Sequence, residues 1–504
     1  MGKTSKGWAL AGEALPWVAL LGLVLATAGL PFFWDTLQLA SRHAHFFYEN
    51  HFSSLFLPND MDSGHIPAFG MYLALMWTLL GRSLVVSHLA MLPFILGLLF
   101  FTRRIAGRLF PGRYAWLITL LLIADATLVA QMTLVSPDIW IACFFTMALW
   151  ALLARRRGLL TLAFLGLTLT SMRGMMMVAA FFITETLLFL FPAAGTPKNT
   201  QEPREPLLKG FFRYFLQQLP VYLPATLTAL LYLGAHYLRT GWIGYHADMP
   251  WYDHFARVDF LGFLRNILIM GWRLADQGRL FFWITGALLI PYFLRGKTKT
   301  TPDGRLLILL SLVLLLVFSY SALTYRNLAG HRYFIPLFLM VALTVMVHLF
   351  LLVKRKKAIL LVLGLLLAGE LSGNFWVYPD SIAKGWDASL AYLPYQYLRR
   401  DMNRYLEEQG IPPDAIGTSF PNNVAFKYTD LTGDARSYGT AGEADPEFRY
   451  LLWSNVFNDF PEALKARLDS EWEKVRVLQS WQVRMILYEN PAPAGATQGT
   501  TGGR

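Results

Sequence analysis

The stretch LPWVALLGLVLATAGLPFFWDTLQ, residues 15–38, decides the class of fold. From Leu15 to Phe33 it is apolar, which is close to the length of about 20 residues that a helix needs to cross a bilayer. It is too long for a removed signal and lacks a clear small-residue cleavage site. We therefore predict a retained membrane span, followed at once by an acid, Asp35.

The composition of the whole chain agrees with this prediction. The 504 residues are 55% hydrophobic and only 15% charged, which is too apolar for an ordinary soluble enzyme. The net charge of +11 does not indicate nucleic-acid binding, because Lys and Arg fall in short clusters between apolar runs. The single cysteine, Cys143, lies inside an apolar run and excludes an intrachain disulfide and a cysteine metal cluster. The chain is predicted to be an integral membrane protein.

Apolar runs of spanning length recur along the chain. After the first, they lie at 84–101, 115–134, 138–154, 175–193, 215–238, 279–295, 305–323, 333–353 and 358–375, with a shorter run at 159–172. If Met1 lies inside and successive spans alternate in direction, the basic clusters all fall on the inner face. These clusters are at 103–113, 155–157, 198–213, 295–305 and 354–357. This predicts about eleven spans, with a cytoplasmic N-terminus in a bacterial inner membrane. The apolar stretches 64–81 and 258–275 are predicted to lie along the outer surface. If only one of them crossed the membrane, the later basic clusters would be moved to the outer side.

The predicted fold class is mainly α, a polytopic membrane helix bundle with outer amphipathic helices and a small C-terminal α/β domain. Residues 1–375 are the predicted transmembrane domain, with 34–83 as its first outer loop. Residues 376–490 are predicted to form the α/β domain, because they contain a helical pattern ending at Gly410 and the strand-like segments AIGTSF, FRYLLWSNVF and KVRVLQSWQVRMILYEN. The alternation of sides places this domain outside. The tail 491–504 lacks large apolar residues and is predicted to be disordered.

Asp35 has two interpretations. A carboxylate at the C-terminal end of a span is disfavoured by the helix dipole and by the membrane, so a compensating role is expected. One role is a cap, because Asp35 with Gln38 three residues later is close to a capping box. The other is a general base or acceptor-orienting carboxylate at the water interface, and the two are compatible. Asp138, in SPDIW, is the second candidate catalytic carboxylate, although an acid in the first turn after a Ser136 cap also suits a helix start.

The predicted first outer loop is rich in histidines and acids. Candidate acceptor-side residues there are His43, His45, Asp62 and His65. Histidines in an exposed loop are commonly polar surface, and no HExxH-like spacing fixes a zinc site from His43, His45 and an acid. The residues are compatible with a divalent metal but do not require one.

Basic residues on the predicted outer side are sparse and therefore informative. Arg173 lies in the tight turn TSMRGMM, and Arg326, His331 and Arg332 lie in TYRNLAGHRYFIP. Arginine at headgroup depth suits bidentate binding of phosphate or pyrophosphate. The alternative is snorkelling to lipid headgroups.

Taken in order, several motifs carry a family resemblance. They are the Trp34-Asp35 pair, DSGHIPAFGMYLAL, SPDIW, the RG turn and HRYFIPLFLMVAL. Over roughly residues 10–375 the chain resembles the integral-membrane glycosyltransferases of the C-type fold, among them the lipid A aminoarabinose transferases and the protein O-mannosyltransferases.

The resemblance implies an enzyme that moves a sugar from a polyprenyl phosphate or pyrophosphate carrier to an acceptor on the outer face. It implies that Asp35 acts on the acceptor, that His65 and Pro67 match an HPP-like segment, and that Arg332 and Tyr333 lie near the carrier phosphate. The sequence departs from the family pattern at two places that bear on the sugar and the carrier. It has HIPAF where many relatives have two prolines, and it has Arg173 where a lysine is common.

The chemistry is consistent with these residues independently of the resemblance. A sugar phosphate already contains a good leaving group, so the reaction needs a carboxylate to deprotonate a hydroxyl and cations to stabilise the departing phosphate. Attack opposite the phosphate would invert the anomeric centre, whereas retention would need a second nearby carboxylate. Lipid A, a secreted protein and a growing glycan are all compatible acceptors.

Two other functions compete with this one. A transporter or flippase of lipid-linked sugars would also need outer cations, but such proteins place ionisable groups near the bilayer midplane on paired broken helices. The clear mid-span acids are Asp125, Glu185 and Glu370, and no sequence repeat pairs them. A membrane anchor for the C-terminal domain alone would not require eleven spans.

Overall fold

The structure is a computed structural model of the chain. It describes residues 3–192, 207–249, 251–295, 300–327, 329–380, 382, 385–442, 448–457 and 460–491. The tail predicted to be disordered lies, apart from Pro491, outside the described residues.

Helices dominate the part of the chain before residue 376. In chain order they are α1 (Lys3–Thr27), α2 (His43–Glu49), α3 (Ala68–Leu80), α4 (Leu84–Leu89), α5 (Leu92–Leu109), α6 (Gly112–Ile123), α7 (Ala126–Met132), α8 (Pro137–Leu153), α9 (Arg157–Thr170), α10 (Met172–Leu190), α11 (Leu207–Thr240), α12 (Phe260–Ala275), α13 (Leu280–Leu294), α14 (Pro302–Thr324), α15 (Ile335–Leu352) and α16 (Lys356–Ser372). A π-helical turn, Leu37–Arg42, leads into α2. Helices α3 and α12 fall in the two stretches predicted to lie along the surface, and their placement against the membrane stays a prediction.

The helices have the length and apolarity of an integral membrane protein. Among the described residues, six segments are long and apolar enough to cross a bilayer: Leu84–Leu109, Met172–Leu190, Leu208–Thr240, Pro302–Thr324, His331–Leu352 and Lys356–Phe375. Shorter apolar helices occur at Gly12–Thr27, Ala68–Leu80, Pro137–Leu153, Arg157–Thr170 and Leu280–Leu294. The count of about eleven spans therefore stays a prediction.

The span predicted at 115–134 is interrupted by a bend. Helices α6 and α7 are bent by 75° at Ala124 and Asp125. The cause is Asp125, whose Oδ1 accepts a hydrogen bond from the backbone N–H of Leu128 at 2.9 Å and so starts a new helix. The same carboxylate pairs with Arg279, with 2.7 Å between Oδ2 and Nε. Since a buried carboxylate needs such a partner, the pair keeps the break in place.

The first helix ends earlier than the apolar pattern predicts, at Thr27 instead of near residue 33. Beyond it the chain is tied to the C-terminal segment, because the N–H of Phe32 donates to the carbonyl of Thr429 at 2.9 Å. Phe33 is 1% exposed and stacks on Tyr392 with 4.8 Å between ring centroids. Asp35 is thus separated from the end of α1 by an irregular segment, and its carboxylate is free of the unfavourable helix dipole.

After residue 375 the chain forms helices and a sheet, as predicted. The elements are α17 (Leu393–Glu408), β1 (Ile416–Thr418), α18 (Phe426–Thr429), β2 (Gly439–Thr440), β3 (Tyr450–Ser454), α19 (Glu462–Glu471), β4 (Glu473–Ser480) and β5 (Val483–Glu489). The strand order is β2-β1-β3-β5-β4. Strand β1 pairs in parallel with β2 and β3, and β5 pairs antiparallel with β3 and β4.

This sheet has its own hydrophobic core, distinct from the one between the membrane helices. The second core includes Leu451, Leu487 and Tyr395, but also Phe33 and Leu134 from the helical part of the chain. Apolar side chains from both parts are therefore buried together, and this shared core fixes the C-terminal segment against the loops that carry Asp35 and Asp138. The domain boundary at residue 375 stays a prediction.

Candidate active site

Arg332 lies at the centre of three carboxylates. It belongs to a 3-10 turn, His331–Phe334, that leads into α15. Its Nη2 donates to Asp35, its Nη1 donates to Asp387 Oδ2 at 3.1 Å, and its Nε lies 3.8 Å from Asp138 Oδ2. The Arg332 side chain is 9% exposed, so these ion pairs are largely shielded from water and hold the guanidinium in one orientation.

A second ion pair joins Asp138 to Arg173. Asp138 is in the first turn of α8, where its backbone N–H donates to the Ser136 hydroxyl at 3.1 Å, as the sequence predicts. Arg173 is in the first turn of α10, and its Nη1 lies 2.8 Å from Asp138 Oδ1. Gly174 permits this arrangement, because a Cβ there would lie 1.8 Å from the carbonyl oxygen of Leu167 on α9. The RG pair thus combines a close approach of α9 and α10 with a partly buried cation.

Tyr333 lies between the two arginines. The Cζ atoms of Arg173 and Arg332 lie 4.4 Å and 4.9 Å from the centre of its ring, which is within cation–π range. The Tyr333 hydroxyl also accepts a hydrogen bond from Arg332 Nη2 at 3.1 Å. With both guanidiniums and all three carboxylates ionised, the cluster has one negative charge in excess.

Asp387 is a member of this cluster that the sequence analysis missed. It lies in a 3-10 turn, Trp386–Ala388, after the last helix of the membrane part, and its side chain is 10% exposed. Burial raises the pKa of Asp387 to about 6; Arg332 opposes this shift, whereas Asp35 and Asp138 add to it. A signal was available in the sequence, because Trp386-Asp387 repeats the Trp34-Asp35 pair.

In the structure, the Asp35 side chain does not cap a helix. The carboxylate of Asp35 pairs with Arg332, and the turn that follows begins at Thr36 without a side-chain cap. The Oε1 atom of Gln38 accepts from Arg42 Nη1 at 2.8 Å, so Gln38 does not complete a capping box. The Asp35 side chain is 35% exposed, which leaves it accessible to a ligand from solvent.

His65 lies beside the cluster, in a cavity of about 20 Å³ that is also lined by His43, Ser63, Ser171 and Arg173. Burial, with Arg173 nearby, lowers the pKa of His65 to about 3, so its imidazole is neutral at pH 7. Its Nδ1 and the Ser63 hydroxyl are buried and make no hydrogen bond within the described residues. The cavity therefore presents polar atoms next to Arg173.

The side chains of His43 and His45 contact different parts of the protein and do not form the zinc site considered above. The Nε2 atom of His43 is 2.9 Å from the carbonyl oxygen of Met61, and Nδ1 of His45 is 2.8 Å from that of Ser41. The His45 ring also packs edge-on against Trp77. Burial lowers the pKa of both histidines to about 4, which favours neutral packing groups.

Asp62 is fully buried and pairs with a residue that the sequence analysis did not single out. Its Oδ2 lies 2.9 Å from Nε2 of His236 on α11, and its Oδ1 accepts from the N–H of Gly64 at 2.8 Å. These contacts fasten the first loop to α11. Asp62 is thus engaged in loop structure instead of facing Arg332.

Neither His331 nor Arg326 joins Arg332 in the cluster, although both are near it in sequence. The Nε2 atom of His331 lies 2.8 Å from Asp276 Oδ2, and Asp276 also accepts from the Tyr378 hydroxyl. Burial opposes ionisation of Asp276, but the hydrogen bonds from His331 and Tyr378 outweigh it and lower its pKa. Arg326 is exposed, and its backbone N–H donates to Ala256 at 3.0 Å.

Within the described ranges, no group of three or more His, Cys, Asp or Glu side chains is arranged to hold a metal ion. The carboxylates of the cluster each face a guanidinium, as the ion pairs above show.

The chain matches no protein-family model, and no curated protein matches it in sequence. It does match solved structures. The crystal structure of ArnT from Cupriavidus metallidurans bound to undecaprenyl phosphate is 13% identical, with a TM-score of 0.53 over 97% of this chain and 99% of that chain. The apo form of the same protein is 11% identical, with a TM-score of 0.54 over 96% and 98% of the two chains.

A third match, with a TM-score of 0.42, is the mycobacterial arabinofuranosyltransferase AftD, which is 14% identical over 97% of this chain and 40% of that chain. The agreement with ArnT extends over nearly the full length of both proteins. The predicted fold class is therefore confirmed: the chain has the fold of ArnT, a C-type membrane glycosyltransferase fold.

Proposed function

We propose that the protein is a glycosyltransferase that moves a sugar from a polyprenyl-phosphate carrier to an acceptor hydroxyl. The observation that carries the proposal is the direct contact between the Asp35 carboxylate, which is partly open to solvent, and the buried guanidinium of Arg332. A base and a phosphate-binding cation are thus adjacent, as transfer from a sugar phosphate requires. The fold shared with ArnT, which was crystallised with undecaprenyl phosphate, supports the choice of carrier.

In the proposed reaction, Asp35 accepts the proton of the acceptor hydroxyl while the new bond to the anomeric carbon forms. The bond between that carbon and the phosphate oxygen breaks, and the electron pair leaves with the phosphate. Arg332 and Arg173 stabilise the charge that develops there, and the Tyr333 ring between them keeps the two guanidiniums apart and oriented. Attack from the face opposite the phosphate inverts the anomeric centre in one step.

Asp138 serves in this scheme to orient both arginines, because it lies against Arg173 and near Arg332. Its side chain is only 3% exposed, which disfavours direct attack on a sugar as the nucleophile of a retaining route. His65 and Ser63 offer buried polar atoms beside Arg173 and are the first-loop groups best placed to contact the sugar or the acceptor.

The proposed location is a bacterial inner membrane, with the N-terminus in the cytoplasm and residues 376–490 on the outer side. Its support is the alternation of basic clusters along the sequence. The donor is then a polyprenyl-phosphate-linked hexose or pentose, and the acceptor a lipid, a glycan or a protein on the outer face. The transporter alternative gains no support from the comparisons.

The proposal is tested by the loss of a glycosylated product in a deletion strain and by sugar transfer with the purified protein. Lipids and glycoproteins from a deletion strain are compared by mass spectrometry with those from the strain complemented by the wild-type gene or by Arg332→Lys. The glycosylated species that only the wild-type gene restores identifies the acceptor. Purified wild-type protein should then convert the sugar-linked carrier in a lipid extract to free polyprenyl phosphate. Unchanged lipids and glycoproteins in the deletion strain, with no release of polyprenyl phosphate in vitro, would contradict the proposal.

A further inference from the structure

Each nitrogen of the Arg332 guanidinium already faces a carboxylate before any ligand arrives. A guanidinium has five N–H donors. Nη1 donates to Asp387, Nη2 donates to Asp35 and to the Tyr333 hydroxyl, and Nε faces Asp138 at 3.8 Å. A phosphate that binds Arg332 in the two-pronged manner needs two adjacent N–H groups. A phosphate that approaches the edge formed by Nη1 and Nη2 therefore competes with Asp387 for Nη1.

Asp138 and Asp35 are poor candidates for leaving. Asp138 is 3% exposed, is fixed in the first turn of α8 and has Arg173 as a second cation at 2.8 Å. Asp35 must stay near the departing phosphate if it receives the acceptor proton. Its removal from the site would separate the base from the bond that forms.

Asp387 differs from both. Within the described residues, Arg332 is the cation with which its carboxylate forms an ion pair. Its backbone is anchored separately, because the Gln131 side-chain amide donates to the Asp387 carbonyl at 2.8 Å. The turn that carries Asp387 is thus attached to the helical part of the protein by a contact that does not involve the carboxylate.

The charge of the site points to the same residue. Three carboxylates against two guanidiniums leave one negative charge in excess, and a phosphate monoester adds about 1.5 to 2 more. The charged and titratable groups that influence Asp387 are Arg332, Asp35 and Asp138, together with Arg273 on α12 and Tyr392. Burial already raises the pKa of Asp387 to about 6, so a new anion beside it would favour its protonation near neutral pH.

On the basis of the proposed function, we propose that Asp387 is the counter-ion which the carrier phosphate displaces from Arg332, and that Asp387 takes up a proton as it is displaced. The proton comes from solvent, the Arg332–Asp387 ion pair is replaced by an Arg332–phosphate pair, and no covalent bond changes. The segment after the last membrane helix thereby takes part in carrier binding.

The test is the pH dependence of carrier binding. The affinity of purified protein in nanodiscs for undecaprenyl phosphate is measured at pH 7.5 and pH 5.5 for wild type, Asp387→Asn and the control Asp380→Asn, which alters a surface ion pair with Arg484. At pH 7.5 we expect Asp387→Asn to bind about tenfold more tightly than wild type, with the two converging at pH 5.5. The second ionisation of the phosphate affects all three proteins equally, so the difference between them isolates Asp387.

Equal affinity of wild type and Asp387→Asn at pH 7.5, or weaker binding by the variant, would overturn the inference while leaving the proposed function intact. If wild type shows no saturable binding at either pH, the proposed function fails and the inference fails with it. Thermal unfolding checks that each variant is folded, and Asp387→Ser serves as a second neutral variant with the same expectation.

Discussion

Replacing Asp35 by asparagine should separate catalysis from stability. The substitution keeps the shape of the side chain but removes its charge and its ability to accept a proton. The structural loss is one of three carboxylates on Arg332, since Asp138 and Asp387 remain. Because the Asp35 side chain is 35% exposed, its ion pair is partly screened by water, and we expect the free energy of unfolding to fall by less than about 1 kcal/mol.

The expected effect on the reaction is much larger. A positioned general base contributes roughly 10²–10⁴-fold to rate, so transfer should fall by about a hundredfold or more, equivalent to about 2.7 kcal/mol in the barrier. Binding of the carrier should not weaken, because removing one negative charge from an already anionic cluster favours a phosphate. Asp35→Asn is thus expected to lower kcat while leaving carrier affinity equal or improved.

The assay follows release of undecaprenyl phosphate by purified protein, with thermal unfolding and carrier affinity measured on the same samples. Asp60→Asn is the matched control: Asp60 lies in the same loop, is 66% exposed and contacts Arg42 at 3.4 Å. It should behave as wild type in all three measurements. Transfer by Asp35→Asn at the wild-type rate would refute the role of base, and a loss of activity that merely parallels a loss of folded protein would reduce Asp35 to a structural ion pair.

Three further outcomes are expected. Arg332→Lys should weaken affinity for undecaprenyl phosphate about tenfold or more, because one ammonium cannot reproduce the planar contact; unchanged affinity would assign Arg332 to headgroup snorkelling. From pH 7 to pH 5, the wild type should lose more thermal stability than His43→Gln. The buried His43 has a pKa of about 4, against 6.5 in the unfolded chain, so the unfolded chain binds more protons in this pH range and is favoured as the pH falls. Equal losses of stability in the two proteins would contradict this. Truncation after Pro379 should lower the unfolding temperature and abolish transfer, since it uncovers Phe33, two residues before Asp35, and removes the core that packs on this segment; a stable, fully active truncated enzyme would show that the C-terminal segment is dispensable.

The truncation prediction differs from what the sequence favours. Residues 376–490 contain no dense group of acids, histidines and arginines like that of the first loop, so the pattern predicts that the chemistry belongs to the membrane part alone. In the structure Asp387 contacts Arg332, and Phe33 is buried with Tyr392. Through Asp387, the C-terminal segment contributes a charged side chain to the site.

The sequence by itself determined the features that depend on local periodicity. Long apolar runs predicted the membrane helices, and the strand patterns near residues 416, 450 and 473–489 predicted the sheet. Local rules also placed Asp138 in the first turn of α8, whereas Arg173, predicted in a tight turn, lies just after it in the first turn of α10. These predictions held because a helix start, a span or a strand is specified by residues a few positions apart.

Only the tertiary structure decided which charges meet. Arg332 pairs with Asp35 across 297 positions and with Asp387 across 55, and Asp125 is held by Arg279 across 154. His331, next to Arg332 in sequence, turns instead to Asp276. The physical reason is that a buried charge is tolerated only with a partner, and which partner it meets depends on how distant segments pack together.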